Sequence, residues 1–358
     1  MSGQERGEAA FDLITVGRCG VDLYPLRTGV PLSDVDTFGR YLGGTAANVA
    51  VAAARLGRRT ALVTRTGADP FGAFIHAALR GYGVDDRFVT PVGHLKTPIT
   101  FCEVFPPDDF PLYFYREPKA PDLEIHPHEL DLDALRAAGI LWLTGTGLSA
   151  EPSRAAHHAA LAARDGGTTV LDLDYRPMFW PSRQAAGAAV RAALETGAVT
   201  VAVGNREECA VATGEDDPDR AADALLATGG VRLAVVKLGP AGVLARSRDG
   251  TEVRVAPVPV EVVNGLGAGD AFGGALCHGL LAGWPLRDTL RFANAAGAIV
   301  ASRLACAPAM PTAEEVWALI GEPAQRDPVT GERGDPAAGV AVARVPAQTS
   351  GREATDAR

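Results

Sequence analysis

The chain has 358 residues, of which 47% are apolar, and its formal net charge at pH 7 is −9. This apolar content is enough for one large hydrophobic core, whereas the acidic balance argues against a surface for nucleic acid or for an anionic membrane, so we expect a small-molecule ligand. The five cysteines include no Cys-x-x-Cys pair and are predicted to be small core residues in a reducing cytoplasm. Because the first ten residues are polar and no apolar run reaches about 18 residues, we expect neither an export signal nor a membrane span.

Short runs of apolar, branched residues alternate with longer alanine-rich stretches along most of the chain. The runs lie at 13–16, 61–63, 140–143, 170–173, 199–203 and 233–238. Continuous apolar runs of this length are typical of strands that are buried on both faces, and the stretches between them have the apolar spacing of helices. The pattern predicts an α/β fold with a mostly parallel central sheet, flanked by helices on both faces.

Two segments interrupt this alternation, at about 21–42 and about 97–116. Short strand-like stretches with turn-rich connections in these segments predict a small β lid. From residue 322 the composition shifts to Pro, Gly, Ala, Arg and Asp without periodicity, which is typical of disorder. We therefore expect one domain at 11–321 and a disordered tail at 322–358.

The sequence VNGLGAGDAFGG at 263–274 places a glycine-rich turn directly before an apolar, alanine-rich helix. Glycines let backbone N–H groups approach an anion closely, and a helix N-terminus adds unpaired donors with partial positive charge. Asp270, at the helix start, could accept the proton of a substrate hydroxyl. The alternative interpretation is a tight turn at Gly267 and Gly269 with Asp270 as a helix cap.

This motif resembles the Gly-Ala-Gly-Asp signature of the ribokinase-like (PfkB) carbohydrate kinases, and the resemblance extends from about residue 11 to about residue 320. Similar to the family's N-terminal signature are GGTAANVA at 43–50, AARLG at 53–57 and TRTGADPFG at 64–72. The absence of any Gly-Lys dipeptide excludes a Walker P-loop and fits this family. The resemblance implies a ribokinase-like fold, ATP and Mg²⁺ as cofactors, and a lid that closes over the sugar and often supplies a dimer surface.

The resemblance also implies roles for individual residues. Asp270 would be the catalytic base, and the transferring phosphate would be stabilised by backbone N–H groups of the turn formed by Gly267, Ala268 and Gly269. Four residues would line the sugar pocket: Asp22, Gly43, Gly44 and Asn48. A structural network of buried polar groups is the alternative for these four.

On the nucleotide side, six residues match family positions: Asn205, Glu208, Lys237, Gly239, Gly242 and Asn294. Glu208 of the Asn-x-x-Glu motif would reach Mg²⁺ through water, and Lys237 would reach phosphate oxygens. Local interpretations also apply, because Asn205 could be an N-cap, 239–242 a surface turn, and Asn294 a locally bonded helix residue.

Arg116 in FPLYFYR at 110–116 and Arg176 in DLDYRP at 172–177 could each bind a carboxylate, which an acidic protein would need in order to attract a sugar acid. Solvated or salt-bridged arginines are the alternative. These segments, with GRCGVD at 17–22, resemble one branch of the family, the 5-dehydro-2-deoxygluconokinases of inositol catabolism. The resemblance implies ATP-dependent phosphorylation of the 6-hydroxyl of 5-dehydro-2-deoxy-D-gluconate in the cytoplasm, by a protein that can pair into a homodimer through the β lid.

Other functions stay open at this point. The nearest is a kinase for 2-keto-3-deoxygluconate or for a ketohexose such as fructose, and one of another class is a non-catalytic, sugar-acid-binding regulatory protein. An oxidoreductase is disfavoured because no Gly-x-Gly-x-x-Gly follows the first strand. Asn264-Gly265 replaces the Asp-Thr pair that is usual in the family, which leaves dependence on K⁺ undecided.

Overall fold

The computed structural model describes residues 10–322. The disordered tail predicted from residue 322 therefore lies, except for that residue, outside the described residues. Within 10–322, no helix is both long enough and apolar enough to cross a membrane. All five cysteines are buried and free, which confirms their prediction as core residues.

The described residues form fourteen strands and ten α-helices. In chain order the strands are β1 (Leu13–Val16), β2 (Gly20–Pro25), β3 (Phe38–Gly43), β4 (Thr60–Gly67), β5 (Val84–Asp85), β6 (Val89–Val92), β7 (Ile99–Cys102), β8 (Leu112–Tyr115), β9 (Ile140–Thr144), β10 (Thr168–Asp172), β11 (Val201–Asn205), β12 (Leu233–Lys237), β13 (Val243–Ser247) and β14 (Glu252–Val255). The helices are α1 (Thr45–Arg55), α2 (Pro70–Gly81), α3 (Leu132–Ala137), α4 (Ser153–Ala163), α5 (Arg183–Glu195), α6 (Arg206–Thr213), α7 (Pro218–Ala227), α8 (Ala268–Leu281), α9 (Leu286–Ala301) and α10 (Ala313–Ile320).

The main sheet has the strand order β14-β13-β12-β11-β10-β9-β1-β4-β5, and β6 also pairs with β4. Strands β12 to β5 of this order are parallel, while β13 and β14 are antiparallel. Each of the six predicted apolar runs overlaps a parallel strand, and neighbouring residues such as Leu13 and Ile14 pack into separate cores on opposite faces. The predicted α/β fold, with a mostly parallel sheet covered on both faces, is confirmed.

A second, four-stranded sheet has the order β3-β2-β7-β8 and comes from the two segments predicted as a lid. Its β2 strand begins only four residues after β1 ends, so the small sheet grows directly from the carboxyl edge of the main sheet. Tyr24 of β2 packs inward against Cys102 and Cys306, whereas Tyr113 and Tyr115 of β8 are exposed on the outer side. The small sheet therefore has one face over the end of the main sheet and an outer face with exposed tyrosines.

Helices α1 and α8 pack closely because α8 has glycine where it meets its neighbours. A Cβ atom added to Gly274 would overlap Ala52 of α1, and one added to Gly273 would lie 2.6 Å from the Trp142 ring of β9. Both contacts are too short for a real side chain, so only glycine permits this approach. The first turn of α8 is thereby held beside the first turn of α1.

Candidate active site

A cavity of about 400 Å³ lies at the carboxyl edge of the main sheet, beneath the small sheet. The carboxyl ends of parallel strands are where open α/β sheets bind their ligands. Most of the residues singled out from the sequence line this cavity: Asp22, Gly44, Asn48, Arg176, Asn205, Glu208, Lys237, Gly239, Gly267, Gly269 and Asp270. Gly43, Arg116, Gly242, Ala268 and Asn294 are not among its lining residues.

Asp270 stands in the first turn of α8, directly after the turn at Gly267. Gly267 has a left-handed backbone (φ +80°) and is the N-cap of α8, and no side chain caps this helix. Asp270 therefore does not take the capping role that was its alternative interpretation. Its Oδ2 atom instead accepts a 2.7 Å hydrogen bond from Asn48 Nδ2. Burial raises the pKa of Asp270 to about 6, and the Asn48 hydrogen bond opposes part of that rise.

Lys237 extends from the end of β12 towards the same turn. A Cβ atom added to Gly269 would lie 3.2 Å from Lys237 Nζ. Burial lowers the pKa of Lys237, but Glu208, Asp172 and Asp270 outweigh it and raise that pKa above its ordinary value. The ammonium group therefore stays charged beside backbone N–H groups at a helix N-terminus, an arrangement suited to an anion.

Asp22 lines the cavity from β2, the first strand of the small sheet. Its side chain is only 9% exposed and packs so closely on Gly43 of the paired strand that a Cβ atom at Gly43 would overlap the carboxyl group. Burial raises the pKa of Asp22 to about 7, with Arg18 lowering it and Asp270 raising it. Gly43 thus acts on the cavity through Asp22 rather than by lining it.

Asn205 and Glu208 form a capping box at the start of α6. Asn205 Oδ1 accepts from the backbone N–H of Glu208 at 2.8 Å, and Glu208 Oε2 accepts from the backbone N–H of Asn205 at 2.6 Å. The N-cap interpretation of Asn205 is thus confirmed. The box also places Glu208 Oε1 3.3 Å from Arg176 Nη1 and Glu208 Oε2 4.0 Å from Lys237 Nζ.

The cavity wall fits a metal ion that arrives with the nucleotide rather than one held in a protein cage. Asp172 at the end of β10 and Glu208 both line the wall near Lys237, and burial raises the pKa of Asp172 well above its ordinary value. Within residues 10–322, no group of three or more His, Cys, Asp or Glu side chains is arranged to hold a metal. One or two carboxylates together with phosphate oxygens and water are the ligand set that Mg²⁺ commonly takes.

Gly242 and Asn294 both contact the backbone at the end of β14. Gly242 has a φ of +89°, and a Cβ atom there would overlap the Val255 carbonyl oxygen. Asn294 Nδ2 donates to the Ala256 carbonyl oxygen at 2.7 Å. The structure therefore brings these two residues to one segment beside the main sheet and not to the cavity.

The two arginines predicted to bind a carboxylate both form ion pairs. Arg116 Nη2 lies 2.7 Å from Asp122 Oδ2, so this guanidinium is salt-bridged away from the cavity wall. Arg176 does line the cavity, but it is paired with Asp174 at 3.0 Å as well as with Glu208. Both arginines are thus salt-bridged, and a carboxylate role for either stays a prediction.

Several further lining residues received no role from the sequence, among them Arg18, Thr45, Phe114, Asp172 and Asp174. The sequence could have pointed to Asp172 as a site residue, because it stands at the end of an apolar run. It pairs in register with Val203 of β11, the strand that ends at Asn205. Arg18 had a weaker signal: it follows the first strand and precedes Asp22 in one short motif.

A model of the "pfkB family carbohydrate kinase" matches residues 10–313 of this chain. The chain belongs to the pfkB family of carbohydrate kinases. It is 35% identical over 317 residues to a 5-dehydro-2-deoxygluconokinase of Shouchella clausii, covering 87% of this chain and 96% of the relative. It is 34% identical over 318 residues to a 5-dehydro-2-deoxygluconokinase of Photobacterium profundum, covering 87% and 95%.

Among solved structures, the pfkB chain is similar to a fructokinase from Vibrio cholerae in a form with fructose, ADP and calcium ion bound. The TM-score is 0.75 at 26% identity, and the match covers 86% of this chain and 98% of the fructokinase. Family membership identifies the chain as an enzyme, a carbohydrate kinase. Its cavity is accordingly a candidate active site for phosphoryl transfer.

Proposed function

We propose that this pfkB kinase transfers the γ-phosphoryl group of ATP to the 6-hydroxyl of 5-dehydro-2-deoxy-D-gluconate, a step of myo-inositol catabolism. The names of two relatives that match over nearly their whole length support this acceptor. The observation that carries the chemistry is the position of Asp270 in the cavity, beside the uncapped N-terminus of α8. We propose a catalytic domain at 11–321.

Asp270 is the proposed base. With a pKa of about 6, its carboxylate is mostly ionised at neutral pH yet basic enough to accept a proton from the acceptor hydroxyl. Asn48 donates to Oδ2, which fixes the carboxylate and leaves Oδ1 for the hydroxyl. Asp22, Gly43 and Gly44 complete the proposed acceptor side.

The turn at Gly267, Ala268 and Gly269 is the proposed phosphate site. Its backbone N–H groups lie at the start of a 14-residue helix without a side-chain cap. Such donors, together with the Lys237 ammonium group, stabilise negative charge that develops during transfer. Ala268 does not line the cavity with its side chain, and its proposed contribution is its backbone N–H.

ATP and Mg²⁺ are the proposed cofactors; the family supports both, and the fructokinase that holds ADP and a calcium ion supports a nucleotide with a divalent cation. Asn205, Glu208, Lys237 and Gly239 would face the nucleotide, with Glu208 reaching the metal through water. When bound, Mg²⁺ neutralises charge on the phosphates. Gly242 and Asn294 are proposed to act indirectly, by fixing the segment at 255–256.

An ADP-release assay with MgATP tests the proposed function. The parent is offered 5-dehydro-2-deoxygluconate, 2-keto-3-deoxygluconate and fructose, and kcat/KM is measured for each. We expect the highest value for 5-dehydro-2-deoxygluconate. A higher value for either other acceptor would support kinase activity but overturn the proposed substrate. No turnover with any of the three would overturn the proposed reaction for these sugars.

We also propose a homodimer through the small sheet and a cytoplasmic location. Tyr113 and Tyr115 leave an aromatic outer face on β8, with Tyr115 66% exposed, and exposed aromatic patches are common at interfaces. The five free cysteines suit a reducing compartment. Analytical ultracentrifugation should show a dimer in the parent and a monomer in Tyr115→Glu; a monomeric parent would refute the dimer.

A further inference from the structure

Arg18 is a buried cation held rigidly in the cavity wall. It is 8% exposed, follows β1 and lines the cavity. Its Nη2 atom donates to Thr45 Oγ1 at 2.7 Å, and its guanidinium carbon lies 5.6 Å from the Phe114 ring centroid and 5.9 Å from that of Phe179. One hydroxyl and two aromatic rings therefore orient the guanidinium without neutralising it.

The charge of Arg18 is not balanced by an ion pair. No carboxylate within residues 10–322 forms a salt bridge with it, and its Nε atom has no hydrogen-bond partner there. Burial accordingly lowers the pKa of Arg18; Asp174 and, more weakly, Asp122 oppose this effect, and the charges of Arg176 and Arg116 add to it. Buried charges in proteins are normally paired because an unpaired one is costly, so a guanidinium left in this state is suited to an anionic ligand.

The acids near Arg18 are poor counter-ions for it. Asp174 already pairs with Arg176 and accepts from Thr146 Oγ1 at 2.7 Å. Asp22 has its pKa raised to about 7 despite the influence of Arg18, so at neutral pH it carries only part of a negative charge. Asp122, whose charge also acts on Arg18, is already paired with Arg116. None of these three acids forms a salt bridge with Arg18, so its positive charge stays available to the cavity.

Arg116 and Arg176, the two arginines predicted to bind the carboxylate, already have carboxylate partners. Arg116 is salt-bridged to Asp122 outside the lining residues, and Arg176 is shared between Asp174 and Glu208. A carboxylate that bound either of them would compete with a protein carboxylate already in place. Arg18 lines the cavity and forms no salt bridge among the described residues, so a carboxylate that bound it would not displace one already paired with it.

We propose that Arg18 binds the carboxylate of the acceptor and selects sugar acids over neutral sugars. The proposal rests on the proposed function, which makes the acceptor an acid. The carboxylate and the 6-hydroxyl stand at opposite ends of this six-carbon acceptor, so an anchor at Arg18 directs the hydroxyl end towards Asp270. A guanidinium edge can hold a carboxylate with two parallel hydrogen bonds, which fixes orientation as well as charge.

The test compares 5-dehydro-2-deoxygluconate with its primary amide, which has nearly the same shape and no charge. Parent, Arg18→Met and the control Arg287→Met, at an exposed arginine outside the cavity, are assayed for kcat/KM with both acceptors and for KM with ATP. We expect the parent to prefer the acid by on the order of 100-fold and Arg18→Met to lose that preference while keeping its turnover of the amide. Arg287→Met should retain the preference of the parent.

The three results separate the two proposals. Loss of preference in Arg18→Met alone supports the carboxylate site. A parent that prefers the acid and an Arg18→Met variant that does so equally would overturn the role of Arg18 and leave the proposed substrate intact. A parent without any preference for the acid would overturn the acidic acceptor and the role of Arg18 together. Turnover of the amide shows that Arg18→Met is folded, and partial recovery of acid preference in Arg18→Lys would show that charge carries the selection.

Discussion

The proposed nucleotide side and the proposed acceptor side of the cavity differ in how their polar groups are satisfied. On the proposed nucleotide side, Asn205 and Glu208 bond to each other, and Glu208 also pairs with Arg176. On the proposed acceptor side, Arg18 Nε and Asn48 Oδ1 have no partner among the described residues. Since buried polar groups are nearly always hydrogen-bonded, the first side is the more completely organised within the protein, and the second keeps unused bonding capacity.

Asp270, where the two sides meet, should give the largest effect. Asp270→Asn keeps the shape of the side chain but removes the base, so we expect kcat to fall by about 10³-fold while KM for ATP changes little. Steady-state ADP release measures both constants. Asp133→Asn, whose side chain is 93% exposed on α3 and lies outside the cavity, is the control and should retain kcat. Equal turnover in Asp270→Asn and the parent would remove Asp270 from the chemistry.

A substitution of Lys237 tests whether the proposed nucleotide side stabilises phosphate charge. Lys237→Met removes the ammonium group beside Gly269, and we expect kcat/KM for ATP to fall by about 100-fold because charge that develops on the phosphoryl group loses a fixed partner. KM for the acceptor should stay near that of the parent. The exposed Lys96→Met serves as control. An equal loss in both variants would point to general charge rather than to position.

The pH dependence of kcat/KM separates the base from its amide partner. Asp270 must be ionised to accept a proton, so activity is present above its pKa and should fall as the pH drops through about 6. The Asn48 hydrogen bond lowers that pKa, so Asn48→Ala should move the acidic limb to higher pH. A limb that stays in place in Asn48→Ala would mean that another group controls it.

The smallest expected effect concerns the capping box. Asn205→Ala removes the acceptor for the Glu208 N–H group, and we expect the free energy of unfolding to fall by about 1 kcal/mol. Asn205→Asp preserves an acceptor at the N-cap and should restore stability. Denaturant titration of both variants measures this difference. If Asn205→Asp is as stable as the parent but turns over more slowly, the amide contributes more than a cap.

The main sheet and the small sheet were predictable because each has a local signature. Strands buried on both faces are continuous apolar runs, and β9 is buried at every one of its five residues. The turn and helix of the motif at 263–274 were equally predictable, because both form from residues that are neighbours in sequence. Most of the candidate site followed, because parallel strands bring their carboxyl ends to one edge.

The sequence could not predict which side chains would be left without partners. Asn48 and Asp270 are bonded across 222 positions, and only the packing of α1 on α8 brings them together. Arg116, Arg176 and Arg18 looked alike as residue types, and their difference arises from the carboxylates that the fold places beside them. Partner assignment is a tertiary property, and local patterns carry little information about it.

The close contact of Gly274 with Ala52 limits how this enzyme can be rearranged by protein engineering. Gly274 stands one helical turn beyond Asp270, and Ala52 one turn beyond Asn48, so the contact sets the spacing of the proposed base and its hydrogen-bonded amide. A chimera that takes α1 from one kinase and α8 from another risks a larger residue at this crossing. Recombination libraries should therefore exchange the two helices as a single block, although more than 200 residues separate them in the gene.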